Sequence, residues 1–104
     1  MGSKTQLKKA EKFKDITTNT AGQTSGPWNI YLSNINPKLT AELETEIKGI
    51  LAELKGLQRT VRLEPVMGSD MKWSISIKGV PDEYLEMLEI KLLNMLGREK
   101  KKME

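Results

Sequence analysis

The segment "WNIYLSNI", residues 28–35, decides the fold class of this chain. Two kinds of side chain alternate along it, with Trp28, Ile30 and Leu32 on one side and Asn29, Tyr31 and Ser33 on the other. An alternation with a period of two predicts a β-strand that buries one face. The Tyr31 ring is then turned away from the buried face, which makes it the first candidate for a functional side chain.

Two helices and two further strands are predicted after this strand. Residues 37–56 and 81–97 each begin with proline, end at glycine and carry one apolar stripe, which is typical of amphipathic helices. Between them, "QRTVRLEPV" (58–66) and "MKWSISIKGV" (71–80) alternate again and are separated by a short glycine-containing turn. Two alternating segments at this spacing predict a β-hairpin.

The resulting order of elements is β-α-β-β-α. Each strand has one apolar face, so we predict an α+β fold, a two-layer sandwich in which a three-stranded, mainly antiparallel sheet carries two helices on one face. The opposite face of the sheet is predicted to be open to water. Trp28 and Trp73 are in phase with the aliphatic residues of their strands, so both indole rings are expected on the covered face.

Composition divides the chain into three regions. These are a flexible basic N-terminal segment and linker (1–27), the α+β domain (28–97) and a charged C-terminal tail (98–104). In the first region apolar residues recur at every third position and predict a short amphipathic helix, either frayed or docked: Leu7, Ala10, Phe13 and Ile16. The Thr-, Gly- and Ser-rich stretch that follows has no periodicity and predicts a flexible linker.

The amino-acid composition disfavours catalysis. The 104 residues form one small domain without cysteine or histidine, which removes disulfides, thiolate nucleophiles, imidazole bases and two common metal ligands. We therefore predict a protein that is not an enzyme and that holds no metal or cofactor. The N-terminal residues lack the apolar core of a signal peptide, and no 18-residue apolar run occurs, so we expect a cytoplasmic location and no membrane partner.

The basic charge is concentrated at the chain ends. Residues 1–26 hold five lysines against two acidic residues, residues 97–104 hold four basic against two acidic residues, and residues 27–96 hold eight basic against ten acidic residues. Non-specific affinity for nucleic acid comes mainly from clustered Lys and Arg. Any such affinity in this chain is therefore expected to depend on the ends.

One hexapeptide of the first strand carries a family resemblance. Residues 30–35, Ile-Tyr-Leu-Ser-Asn-Ile, resemble the shorter ribonucleoprotein motif of the RNA recognition motif family, which reads aliphatic, aromatic, aliphatic, any residue, Asn, aliphatic. The resemblance extends to the β-α-β-β-α order and spans residues 28–97. It implies a ferredoxin-like sandwich whose outward aromatic side chain, here Tyr31, stacks on a base of single-stranded nucleic acid.

The chain departs from the pattern of that family in three places. The outward positions of the third predicted strand hold Lys72, Ser74, Ser76 and Lys78, where the family has aromatic residues. The connection between the second and third strands is shorter, and no fourth strand is predicted after the second helix. We therefore expect a single stacking ring and one exposed sheet edge.

The leading hypothesis for function is a small non-catalytic binding module. Single-stranded RNA or DNA would bind to the open face of the sheet, and the basic chain ends would add affinity. The residues predicted to form this site are Tyr31, as the stacking platform, and three surrounding cations, Arg62, Lys72 and Lys78.

The alternative is a protein-interaction or assembly module. Ile90 and Leu93 fall outside the predicted inner stripe of the second helix, because at 100° per residue they lie well away from Leu88, which belongs to that stripe. Together with an unpaired sheet edge they predict a contact with another protein or with a second copy of the chain.

Overall fold

The fold is described from a computed structural model of the chain, which describes residues 12–22, 26–54 and 56–97. Three predictions fall wholly or partly elsewhere. The first part of the predicted amphipathic helix, with Leu7 and Ala10, the middle of the predicted linker, and the charged tail at 98–104 lie outside the described residues.

Four strands and three helices make up the described part of the chain. They are β1 (Thr17–Gly22), β2 (Trp28–Ile35), α1 (Thr40–Glu53, preceded by a 3-10 turn at Pro37–Leu39), α2 (Leu57–Thr60), β3 (Arg62–Met67), β4 (Trp73–Val80) and α3 (Asp82–Met95). The strands form one sheet in the order β1-β2-β4-β3, and every neighbouring pair is antiparallel. The predicted α+β class is confirmed.

The prediction of a three-stranded sheet is wrong, because the polar segment Thr17–Gly22 forms β1 at the edge beside β2. This segment, "TTNTAG", was predicted to belong to a flexible linker. Its register runs from Thr17 opposite Ser33 to Gly22 opposite Trp28. β-Branched threonine suits a pleated, half-exposed surface. β2 is therefore an inner strand, and within the described residues the outer edges of the sheet belong to β1 and β3.

The core lies between the helices and one face of the sheet. The strands contribute Ile30, Leu32, Ile35, Ile75, Ile77 and Val80, and the two long helices contribute Leu43, Ile47, Leu51, Leu88, Leu92 and Met95, all of them buried. Trp28 and Trp73 are partly buried and pack against this cluster, as predicted. In addition to the two predicted helices, the structure contains α2, a single turn between α1 and β3.

The residues before β1 also belong to the core. Phe13 is 0% exposed and Ile16 is 2% exposed, so the end of the predicted amphipathic segment is docked. Polar contacts also hold this stretch: the Lys12 ammonium lies 2.8 Å from the Glu42 carboxylate of α1, and the Asn34 amide donates to the Asp15 carbonyl oxygen at 2.9 Å. The residues that lead into β1 are therefore held against the core.

Hydrogen bonds at the element ends fix how β2 meets the helices. The Asn36 side chain accepts a hydrogen bond from the Lys38 backbone N–H and so caps the turn that leads into α1. At the other end, the Trp28 indole N–H donates to the Asp82 carboxylate at 2.9 Å, which joins the start of β2 to the start of α3. None of the helices in the described ranges is long and apolar enough to span a membrane.

Candidate binding site on the open sheet face

The face of the sheet that points away from the helices carries no buried side chain. Strand alternation and the pairing register place twelve residues there: Thr17, Asn19 and Ala21 of β1, Asn29, Tyr31 and Ser33 of β2, Ser74, Ser76 and Lys78 of β4, and Arg62, Glu64 and Val66 of β3. Amide and hydroxyl groups dominate this set. We refer to these twelve residues as the open face.

Tyr31 lies near the middle of the open face. It is opposite Asn19 on β1 and opposite Ser76 on β4, and it is half-buried. The Asn29 amide nitrogen donates a hydrogen bond to the Tyr31 hydroxyl oxygen at 3.2 Å. Since these two residues are separated by two positions on one strand, this bond makes the Tyr31 side chain lean along β2.

A bulge in β4 fixes the orientation of Asn29. The register between β2 and β4 shifts between Trp28 and Asn29, and Gly79 at this point has a φ of +85°, which glycine adopts without the strain that a Cβ would add. The Gly79 backbone N–H donates to the Asn29 side-chain oxygen at 3.3 Å. The bulge therefore positions Asn29, and Asn29 positions Tyr31.

Two of the predicted cations share one carboxylate. The Lys78 ammonium lies 3.0 Å from one Glu64 oxygen, and the Arg62 guanidinium lies 3.9 Å from the other. The hypothesis that three cations surround the Tyr31 ring did not take account of Glu64. Strand alternation places Glu64 on the same face as Arg62. Arg62 and Lys78 do lie on the open face, but their charge there is partly neutralised.

Lys72 does not belong to this group. β4 begins at Trp73, and Lys72 lies in the hairpin turn, where its N–H donates to the Asp70 side chain and its carbonyl oxygen accepts from the Gly68 N–H. Its position is four residues along β4 from Ser76, the partner of Tyr31, which corresponds to about 13 Å of strand. The prediction that Lys72 flanks Tyr31 is therefore wrong.

The two residues of the alternative hypothesis have different surroundings. Ile90 is 39% exposed on α3, whereas Leu93 is half-buried and lines a groove between α3 and β1. The difference in exposure arises from β1, because this additional strand lies beneath the side of α3 that carries Leu93. Of these two residues, Ile90 is therefore the more exposed.

Comparison of the chain with family models, with characterised proteins and with solved structures gives no match. Within the described ranges, His, Cys, Asp and Glu side chains form no group of three or more that could hold a metal ion. The candidate site is therefore defined by its own geometry: a half-buried aromatic ring on the sheet face that the described helices do not cover.

Proposed function

We propose that this protein is a non-catalytic module that binds single-stranded nucleic acid on the open face. The observation that carries this proposal is the Tyr31 ring, half-exposed in the middle of the sheet and held in a leaning orientation by Asn29. A base that stacks on such a ring gains about 1–3 kcal/mol, whatever its identity, because every base has a π-face.

The surroundings of Tyr31 suit bases and sugars better than they suit phosphates. Asn19, Ser33 and Ser76 carry hydrogen-bonding groups that are uncharged, and they lie beside the ring. The two cations of the face are engaged by Glu64. Stacking and neutral hydrogen bonds therefore supply most of the affinity of the folded part, and the lysine-rich chain ends supply the salt-sensitive part.

The charge of the helix layer supports binding of nucleic acid to the open face rather than to the helices. α1 carries Glu42, Glu44, Glu46 and Glu53 against Lys48, and α3 carries Asp82, Glu83, Glu86 and Glu89 against Lys91. This layer repels a phosphate backbone, whereas the open face carries two cations and one acid. A nucleic acid that approaches the protein is therefore favoured on the sheet side.

Removal of the ring tests the proposal directly. Tyr31→Ala is expected to weaken the binding of a mixed-sequence single-stranded oligonucleotide by about 1–3 kcal/mol, roughly 5- to 150-fold, because the stacking platform is lost. Fluorescence anisotropy of a labelled oligonucleotide gives the affinity, and backbone amide shifts of the full chain give the location.

Tyr31→Phe is the matched control for this substitution, since it keeps the ring and removes only the hydroxyl group. It is expected to retain most of the affinity. The proposal is wrong if oligonucleotide leaves the amide signals of β2 and β4 unmoved, or if Tyr31→Ala binds as tightly as the unaltered protein.

The Glu64 carboxylate provides a second, electrostatic prediction. Glu64→Gln is expected to strengthen oligonucleotide binding and to make it more salt-dependent, because Lys78 and Arg62 become available to phosphates. Each new phosphate contact steepens the plot of log affinity against log salt by about 0.7 for a single strand. Glu44→Gln, which breaks the 3.8 Å pair with Lys48 on α1, is the control and should leave the slope unchanged.

A further inference from the structure

The outer edge of β1 is one part of a second surface. Within residues 12–22, 26–54 and 56–97, β1 pairs with β2 alone, so the backbone groups on its other edge have no strand partner. Such an edge is a template for another extended chain. β1 contains neither proline nor lysine, with which natural proteins often protect an edge, whereas β3 at the opposite edge contains Pro65.

An apolar groove of about 90 Å³ lies beside this edge, on the helix side of the sheet. It is lined by Thr18 and Thr20 of β1, Ile30 of β2, and Glu89, Leu92 and Leu93 of α3. An engineered apolar cavity of about 150 Å³ holds one benzene molecule. The smaller groove therefore suits one aliphatic side chain rather than an aromatic ring.

The side of α3 that adjoins the groove is partly apolar and partly acidic. At 100° per residue, Glu86 and Ile90 lie within about 60° of Leu93 around the helix axis. Glu89 is at the groove itself, where its carboxylate accepts a hydrogen bond from the Thr20 hydroxyl at 2.7 Å. A strand added to β1 would direct every second side chain toward this side of α3.

We propose that this surface binds an extended peptide segment of a partner protein. The peptide backbone pairs with the free edge of β1, one aliphatic side chain enters the groove, and Lys or Arg two residues away on either side meets Glu86 and Glu89. Backbone pairing gives such complexes their affinity, and the pocket for alternate side chains gives them their specificity. The surface is separate from the open face, so peptide and nucleic acid do not compete for the same groups.

The probe for this site is a capped heptapeptide, Thr-Lys-Thr-Leu-Thr-Lys-Thr, titrated into the full-length protein while backbone amide signals are recorded. We expect saturable shifts at Thr18, Thr20 and the α3 residues, with half-saturation below about 1 mM. N-methylation of the three central peptide residues should abolish the shifts, because it removes backbone donors. Replacement of both lysines by glutamate should weaken binding at least about fivefold, because of repulsion by Glu86 and Glu89.

Protein variants locate the peptide. Ile90→Ser, at an exposed position, is expected to weaken binding at least about fivefold through lost apolar contact, and Leu93→Glu to abolish it. Met67→Ser, at an exposed apolar position on the opposite edge strand and outside the open face, is the control and should bind normally.

Three results would overturn the proposal. They are no saturable shift up to about 1 mM peptide, shifts confined to β3 or to the open face, and a free protein that runs as a dimer which Leu93→Glu converts to a monomer. In the last case a second copy of the chain occupies the edge. If Ile90→Ser binds the oligonucleotide as tightly as the unaltered protein does, its loss of peptide binding is independent of the nucleic-acid site.

Discussion

Replacement of Phe13 by alanine is expected to lower the free energy of unfolding by about 3–5 kcal/mol, the range for a buried phenylalanine. Phe13 is 0% exposed and belongs to the same cluster as the strand and helix residues of the core. A domain of this size has a total stability of about 5–15 kcal/mol, so the variant would lose a large part of it.

Urea unfolding followed by tryptophan fluorescence measures this effect, because Trp28 and Trp73 both pack against the core. Asp15→Ala, two positions away and exposed, is the control; it keeps the backbone carbonyl that Asn34 binds and should change stability by no more than about 0.5 kcal/mol. A loss below about 1 kcal/mol in Phe13→Ala, well under the cost of emptying a phenylalanine site, would show that the stretch before β1 is not part of the folded domain.

Gly79→Ala and Gly49→Ala are expected to change stability in opposite directions, although the chemical change is the same. Gly79 has a φ of +85°, and a Cβ there would lie 3.3 Å from the Thr60 carbonyl oxygen. The substitution should therefore cost about 1–3 kcal/mol. Gly49 lies exposed in the interior of α1 with open space around a Cβ, so alanine should stabilise the protein by about 0.5–1 kcal/mol.

Urea midpoints of the two variants test this pair of predictions, and the Gly79 variant also tests the path from the bulge to Tyr31. The Gly79 N–H bonds to Asn29, which bonds to Tyr31, so a distorted bulge should move the amide signal of Tyr31 while Gly49→Ala leaves it in place. Equal midpoints for the two variants would contradict the assigned backbone geometry.

The site itself was only partly predictable. Strand alternation placed Tyr31, Arg62 and Lys78 on one face, since side-chain direction in a strand follows from residue parity. The ion pairs of Glu64 and the exclusion of Lys72 depend on the register between strands and on where β4 begins, and both are set by long-range pairing. Neither property is encoded in the spacing of one strand.

The sequence by itself determined the elements whose apolar pattern is strong. β2, β4, α1 and α3 each bury a regular apolar face, and burial of that face is the main force that forms them. The period of the pattern is therefore enough to identify them, and it also fixed the side on which both indole rings lie.

The fourth strand and the orientation of the Tyr31 side chain were decided only by the tertiary structure. Thr17–Gly22 has no apolar stripe, and it becomes a strand because Phe13 and Ile16 anchor it in the core and β2 offers an edge for pairing. Tyr31 leans along the sheet because a bulge on another strand orients Asn29. Both features arise from contacts between segments distant in the chain, which no local pattern records.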